Sequence, residues 1–303
     1  SHLVLGSNRC HGELFDHFEK SFYEEVGTVE RAESESGENA SENHRDVLCM
    51  VFDECKYGSL TQYLSSESMQ SVELNENHVV HICRHVLSAL ALLHDEGIVH
   101  FDVKSDNLLV DENFNIVLSD FGASVQRSRR NSHNTTFEEM DDDNDSDSYD
   151  LGGDMLRGTP HWISPEMISA FVNHSRRNRN NNRTKNSSDC IGAPRVNTKA
   201  DIWSFGILVY ELLNNLYPPL GHINDHVQVL RLLQQRTSAP QLPEEVAQMW
   251  SHEMLDFMYS ALTMDPEERP SAKQLLQHSI LQRDIGDVQQ LFTPPTVVHI
   301  ETD

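Results

Sequence analysis

The sequence predicts an α+β fold, mostly helical through its second half with a small β portion ahead of it, and three observations carry that expectation. An apolar run of strand length, VLCMVFDE at 47–54, precedes turn chemistry at Tyr57-Gly58-Ser59. Between Asn77 and His94, apolar residues recur at three- and four-residue steps, the period of an amphipathic helix. From Asp201 onward, IWSFGILVYELL is apolar nearly all round, which suits a helix in the centre of a large domain rather than one on a surface.

The elements follow in order. VLCMVFDE reads as a strand, and Gly58 supplies the turn after it. Val79, Val80, Cys83, Val86, Leu87, Leu90, Ala91 and Leu93 form the apolar face of the helix over 77–94, which ends near Gly97. NIVLSD at 115–120 is a second short strand. Asp201 is expected to cap the central helix, and further helices are expected near 226–236, 247–263 and 271–278. The last of these is announced by DPEERPS, with its proline and serine start signals. Three polar stretches lose all hydrophobic period: 24–46, 127–156 with its run EEMDDDNDSDSYD, and the basic, Asn-rich 173–198. They are expected to be disordered inserts.

A chain of 303 residues allows one large two-lobed domain or two ordinary ones. The formal charge of −25 argues against a general binder of nucleic acid or anionic membrane, since those need a basic field. Cys10, Cys49, Cys55, Cys83 and Cys190 show no CxxC spacing, and their odd number suits reduced thiols in the cytoplasm or nucleus. No apolar run approaches the ~20 residues of a membrane span.

The chemistry is concentrated in HFDVKSDNLLV at 100–110, where Asp102, Lys104 and Asn107 crowd between two core-like segments. Taken singly, each also suits a helix-to-strand turn. The segment is followed by DFG at 120–122, GTPHWISPE at 158–166, DIWSFG at 201–206 and Arg269 within DPEERP. This ordered series resembles the eukaryotic protein kinase catalytic domain of the serine/threonine type, across roughly 47–282 apart from the inserts. The C-terminal LTMDPEERPSAKQLLQHSIL looks most like the sterile (STE) group of the MAP-kinase cascades.

The resemblance implies a mostly helical C-lobe at 55–282, a partial β N-lobe at 1–54 and a C-terminal tail at 283–303. It implies ATP and Mg²⁺ as cofactors, Ser/Thr hydroxyls of proteins as acceptors, and kinase-cascade partners. Asp102 would orient the substrate hydroxyl and accept its proton, Lys104 would face the γ-phosphoryl oxygens, and Thr159 would lie beneath the hydroxyl. Asn107 and Asp120 would offer oxygen ligands to Mg²⁺. Phe52 as gatekeeper, the Asp53-Glu54-Cys55 hinge and Leu109 would contact ATP. His100 and Phe121 would belong to a hydrophobic spine, Gly122 would let the backbone turn after Asp120, Glu166 and Arg269 would pair, and Asp201 would hold the catalytic loop.

Two departures qualify that picture. Phe101 stands where the family carries the arginine that grips a phosphorylated activation segment, so that activation by loop phosphorylation is not expected. That segment, Asp120 to Glu166, is 47 residues long. Upstream, no GxGxxG occurs, and the only lysine before Phe52 is Lys20, which lacks the strand-three setting. If LFDHFEKSF at 14–22 is the fourth strand, about 70 residues of N-lobe precede Ser1, and these 303 residues alone are expected to be nearly inactive. The alternative is a catalytically inactive pseudokinase scaffold.

Overall fold

In a computed structural model the repeat over 77–94 folds as one long helix, α2, Glu76–Asp95, with its periodic face buried. Asn75 caps it: its side-chain oxygen accepts from the N–H groups of Asn77 and His78, and His78 Nδ1 accepts from the Asn75 N–H. The structure describes residues 54–126 except 68, 70, 71 and 73, then 156–180, with the backbone alone from 173, and 197–292. The chain separates into two units, Ser1–Glu54 and Cys55–Asp303, and every element below belongs to the second. The strands expected at 14–22 and, up to residue 53, 47–54 lie outside the described residues, as do the inserts at 24–46, 127–156 up to residue 155, and 173–198 over 181–196.

Ahead of α2, Gly58 turns the chain at φ +70° and Ser59 caps the short helix α1, Leu60–Leu64. After α2 come four short strands: β1 Ile98–Val99, β2 Leu108–Val110, β3 Ile116–Leu118 and β4 Val125–Gln126. β2 and β3 form an antiparallel hairpin with Leu108 opposite Leu118, and β1 pairs antiparallel with β4, Val99 opposite Val125. Helices then dominate: α3 Pro165–Asn180, α4 Lys199–Leu213, α5 His226–Gln234, α6 Glu244–Ala247, α7 His252–Ala261, α8 Ala272–Leu275 and α9 Val288–Phe292.

α4 is the centre of the core, as its all-round apolar sequence requires. Ile202, Trp203, Phe205, Ile207 and Leu208 are all inaccessible or nearly so, each contributing about 1.5–3 kcal/mol on burial. Gly206 allows α4 and α7 to approach closely, because a Cβ there would come within 2.7 Å of Leu262 Cδ2. α2 packs on α4, β3 and α8 in the same core.

Four expectations need correction. Asp201 does not cap α4: Thr198 holds that position without a side-chain cap bond, and the Asp201 carboxylate turns to the loop after β1, where it finds better donors. The backbone of 173–180 is helical, continuing α3, since extending an existing helix costs far less than nucleating one. The helix expected over 247–263 begins at His252, because Ser251 accepts from Met254 N–H and starts a new helix there. The helix over 271–278 is one turn, α8, capped by Ser271 and followed by a 3₁₀ turn at Ser279–Gln282. Residues 283–292 of the tail pack on the domain, with Phe292 buried among Tyr63, His78, His81 and Phe114.

Candidate active site

Loop 100–107 joins β1 to β2, and loop 119–124 joins β3 to β4, so the two strand pairings bring these loops side by side. Asn107 and Ser119 flank the Leu108–Leu118 pair, and the Ser119 N–H and Oγ both donate to Asn107 O, at 2.9 and 2.8 Å. His100 Nε2 bonds Ser119 O at 3.0 Å. These bonds place Asp120 next to Asn107.

Phe101 has φ +66°, a costly conformation for a bulky residue. Buried Asp201 holds it: Oδ2 accepts from His100 N–H at 2.8 Å and Oδ1 from Phe101 N–H at 2.7 Å. His94 Nε2 lies 2.9 Å from the same Oδ2. The Phe101 ring is buried in a second apolar cluster with Val99, Ile163 and Met167. Against the Phe101 carbonyl sits Gly158, at φ +88°, where an added Cβ would lie 2.2 Å from that oxygen. Only glycine fits this contact.

The contact carries Thr159 onto Asp102. Thr159 N–H and Oγ1 donate to Asp102 Oδ1 at 2.9 and 2.6 Å, and Lys104 Nζ donates to Asp102 Oδ2 at 2.9 Å and to Thr159 Oγ1 at 2.6 Å. Asn107 Nδ2 donates to Asp102 O and Oδ2, both at 2.8 Å. Burial alone would raise the Asp102 carboxyl, but the hydrogen bonds from Thr159, Lys104 and Asn107 and the Lys104 charge outweigh it and hold it below the usual carboxylate range. At neutral pH it is therefore a fixed anion.

Asp120 takes φ +60° and its Oδ1 accepts from Gly122 N–H at 3.2 Å, starting a 3₁₀ turn at Phe121–Ala123. The reversal thus occurs at Asp120 and not at Gly122; a Cβ on Gly122 would lie 3.1 Å from Asp120 Oδ1, so Gly122 serves close approach. His100 meets the Phe121 ring edge-on at 5.0 Å, although Phe121 is 43% exposed. Glu166 and Arg269 form a buried bidentate pair at 2.7 and 3.1 Å. Leu109 lies half-buried on β2, Glu54 is exposed, and the Cys55 carbonyl accepts from Gly58 N–H. Phe52 and Asp53 lie outside the described residues.

Among the described residues no three His, Cys, Asp or Glu side chains cluster to hold a metal. The donors that do fit a cation are the Asn107 carbonyl, left as acceptor once Nδ2 faces Asp102, and the Asp120 carboxylate. So sparse an oxygen set suits Mg²⁺ that takes its remaining ligands from phosphates and water. Sequence reasoning missed Gly158, His94, Ser105, Trp162 and Glu211; the signal for Glu211 was an acid closing an otherwise apolar helix.

An acid fixed by a lysine and a threonine, in a loop held by a carboxylate of a buried central helix, is an arrangement of the protein kinase class. The family model of the protein kinase domain matches residues 37–281, and the chain belongs to that family. It is 30% identical over 238 residues to the serine/threonine-protein kinase dst1 of Dictyostelium discoideum, covering 78% of this chain and 25% of that protein. It is 30% identical over 243 residues to the Nik-related protein kinase of Homo sapiens, 80% of this chain and 12% of that protein. With the serine/threonine-protein kinase PAK 1 of Mus musculus it shares 28% over 237 residues, 78% and 34% of the two chains. The similarity is thus to serine/threonine kinases of the STE group, and the chain spans no more than 34% of the length of these three relatives. No helix among the described residues is long and apolar enough to cross a membrane.

Proposed function

We propose that the protein transfers the γ-phosphoryl group of ATP to Ser/Thr hydroxyls of protein substrates, within a kinase cascade in the cytoplasm or nucleus. The observation that carries this reading is the convergence of Lys104 and Thr159 on the two oxygens of Asp102. Asp102, an anion held low, orients the incoming hydroxyl and takes its proton late, which suits a loose transition state with little need of a strong base. Lys104 lies one hydrogen bond from that carboxylate, where its ammonium can meet charge on the transferring group. Thr159 fixes the distance between the two. Asn107 and Asp120 would hold Mg²⁺, which neutralises the phosphates when bound. Leu109 and Cys55 would contact the adenine, as the family resemblance implies. The remaining residues support: Asp201 holds the loop, His100 seats Phe121, and Glu166 with Arg269 anchors the segment after Thr159.

With Mg-ATP, the full-length protein is expected to phosphorylate a generic Ser/Thr substrate, and Asp120→Ala to abolish this. Unchanged turnover in that variant would refute the metal assignment, and phosphate found only on tyrosine would refute the substrate class.

A further inference from the structure

Glu211 is a carboxylate inside the core, 4% exposed, on the last turn of α4. Oε1 accepts from Ser105 Oγ at 2.5 Å and Oε2 from Trp162 Nε1 at 3.2 Å. Ser105, itself buried, follows Lys104 in the loop and accepts a further bond from Thr61 Oγ1 of α1 at 2.8 Å. Trp162 ends the 3₁₀ turn Pro160–Trp162 that follows Thr159, and Ser204 of α4 donates to its carbonyl at 2.8 Å. One carboxylate thus grips, from beneath, both arms that meet at Asp102.

A purely structural role would be filled better by an apolar side chain, since a buried anion costs several kcal/mol unless well paired. Burial pushes the Glu211 carboxyl up to about 7, against the hydrogen bonds from Ser105 and Trp162 and with the Asp106 charge adding to the rise. Groups held at such a cost gather at functional sites.

We propose that Glu211 is a positioning residue for phosphoryl transfer, its two oxygens setting the spacing between the Asp102–Lys104 loop and the Thr159 arm. The inference rests on the kinase reading above. Because the reacting groups touch neither oxygen, its loss acts on alignment: a displacement of about 1 Å at the chemistry can cost on the order of a hundredfold.

The test measures kcat and KM for Mg-ATP in the full-length protein, wild type and Glu211→Gln, with thermal unfolding of each. Gln keeps the size and one acceptor but cannot accept from both Ser105 and Trp162. The expected result is a kcat lowered on the order of ten- to a hundredfold, KM for Mg-ATP within about twofold, and a melting temperature no lower than wild type. Ser105→Ala removes one hydroxyl, and is expected to lower kcat in the same way, with no further loss when combined with Glu211→Gln. Wild-type kcat in Glu211→Gln, or in Ser105→Ala should the first variant fail to fold, overturns the positioning role and leaves the kinase reading standing. Equal losses in kcat and stability that simply add in the double variant overturn it as well. A folded wild type that transfers no phosphate overturns both.

Discussion

Replacing Arg269 by methionine removes a buried cation whose five N–H groups are all engaged, and its cost follows from what is left behind. Nε donates to Thr263 O at 2.8 Å, Nη1 to Glu166 Oε1 at 2.7 Å and Lys199 O at 2.6 Å, and Nη2 to Glu166 Oε2 at 3.1 Å and Met264 O at 3.4 Å. The guanidinium also lies 5.2 Å over the Trp203 ring. In Arg269→Met the Glu166 carboxylate stays buried with its partner gone, which costs about 3–5 kcal/mol. Set against a total stability of about 5–15 kcal/mol, that is a large share. With a urea m-value of about 3 kcal/mol/M, the unfolding midpoint falls by roughly 1 to 1.7 M. Adding Glu166→Gln removes the orphan charge, so the double variant is expected to be more stable than Arg269→Met alone. Urea titration read by tryptophan fluorescence measures both, with Trp203 reporting from the site. A single variant within about 0.2 M of wild type, or a double variant less stable than the single one, would show that the pair does not anchor this region.

Gly158→Ala places a Cβ against the Phe101 carbonyl and pushes Thr159 off Asp102; phosphoryl transfer is expected to fall on the order of a hundredfold or more, measured as kcat on a Ser/Thr substrate. Phe292→Ala empties a cage formed by Tyr63, His78, His81 and Phe114, costing about 3–5 kcal/mol in chemical denaturation. For pH, the Glu211 carboxyl rises from 4.5 to about 7 on folding, so the folded state binds the extra proton between those values. Its burial is harmless below pH 4.5, and stability is lost as pH rises through 7, by up to ~3 kcal/mol at ~1.4 kcal/mol per pH unit. His78, His81 and His85, lowered by burial, act oppositely and lose stability as pH falls, but they are common to both proteins. The wild type should therefore lose stability relative to Glu211→Gln between pH 5 and 8, read as the difference of two denaturation series.

What was legible in the sequence is what depends on local period and on residue type. α2 and α4 announced themselves because their apolar spacing is itself the reason they fold, whereas Asp102, Lys104 and Asn107, each of which also suits a turn, stood out only through the ordered motif series that follows them. Thr159 and Asp120 entered through motif resemblance, and the hydrogen bonds from Thr159 to Asp102 were not part of that expectation. Long-range bonding was not legible. Asp201 looked like a cap because position alone cannot tell whether a carboxylate faces its own helix or a loop 100 residues earlier in the chain. Gly158 carried no expectation of its own, because its need for glycine comes from the Phe101 carbonyl, 57 residues earlier in the chain.

Phe101 shows how one substitution changes what holds a loop. An arginine there would offer a cation to a phosphate on the activation segment. Phenylalanine instead joins an apolar cluster against which Ala123 and Val125, at the start of that segment, and Leu156, near its end, are packed. Arg157 adds a polar tie between the same two ends, its Nη1 donating to Ala123 O at 3.0 Å. The ends are therefore joined by contacts that need no phosphate. The strain of Phe101 at φ +66° is offset by two short backbone bonds to a buried carboxylate, so α4 supplies a hold on the loop that carries Asp102 that needs no phosphate on the segment above it.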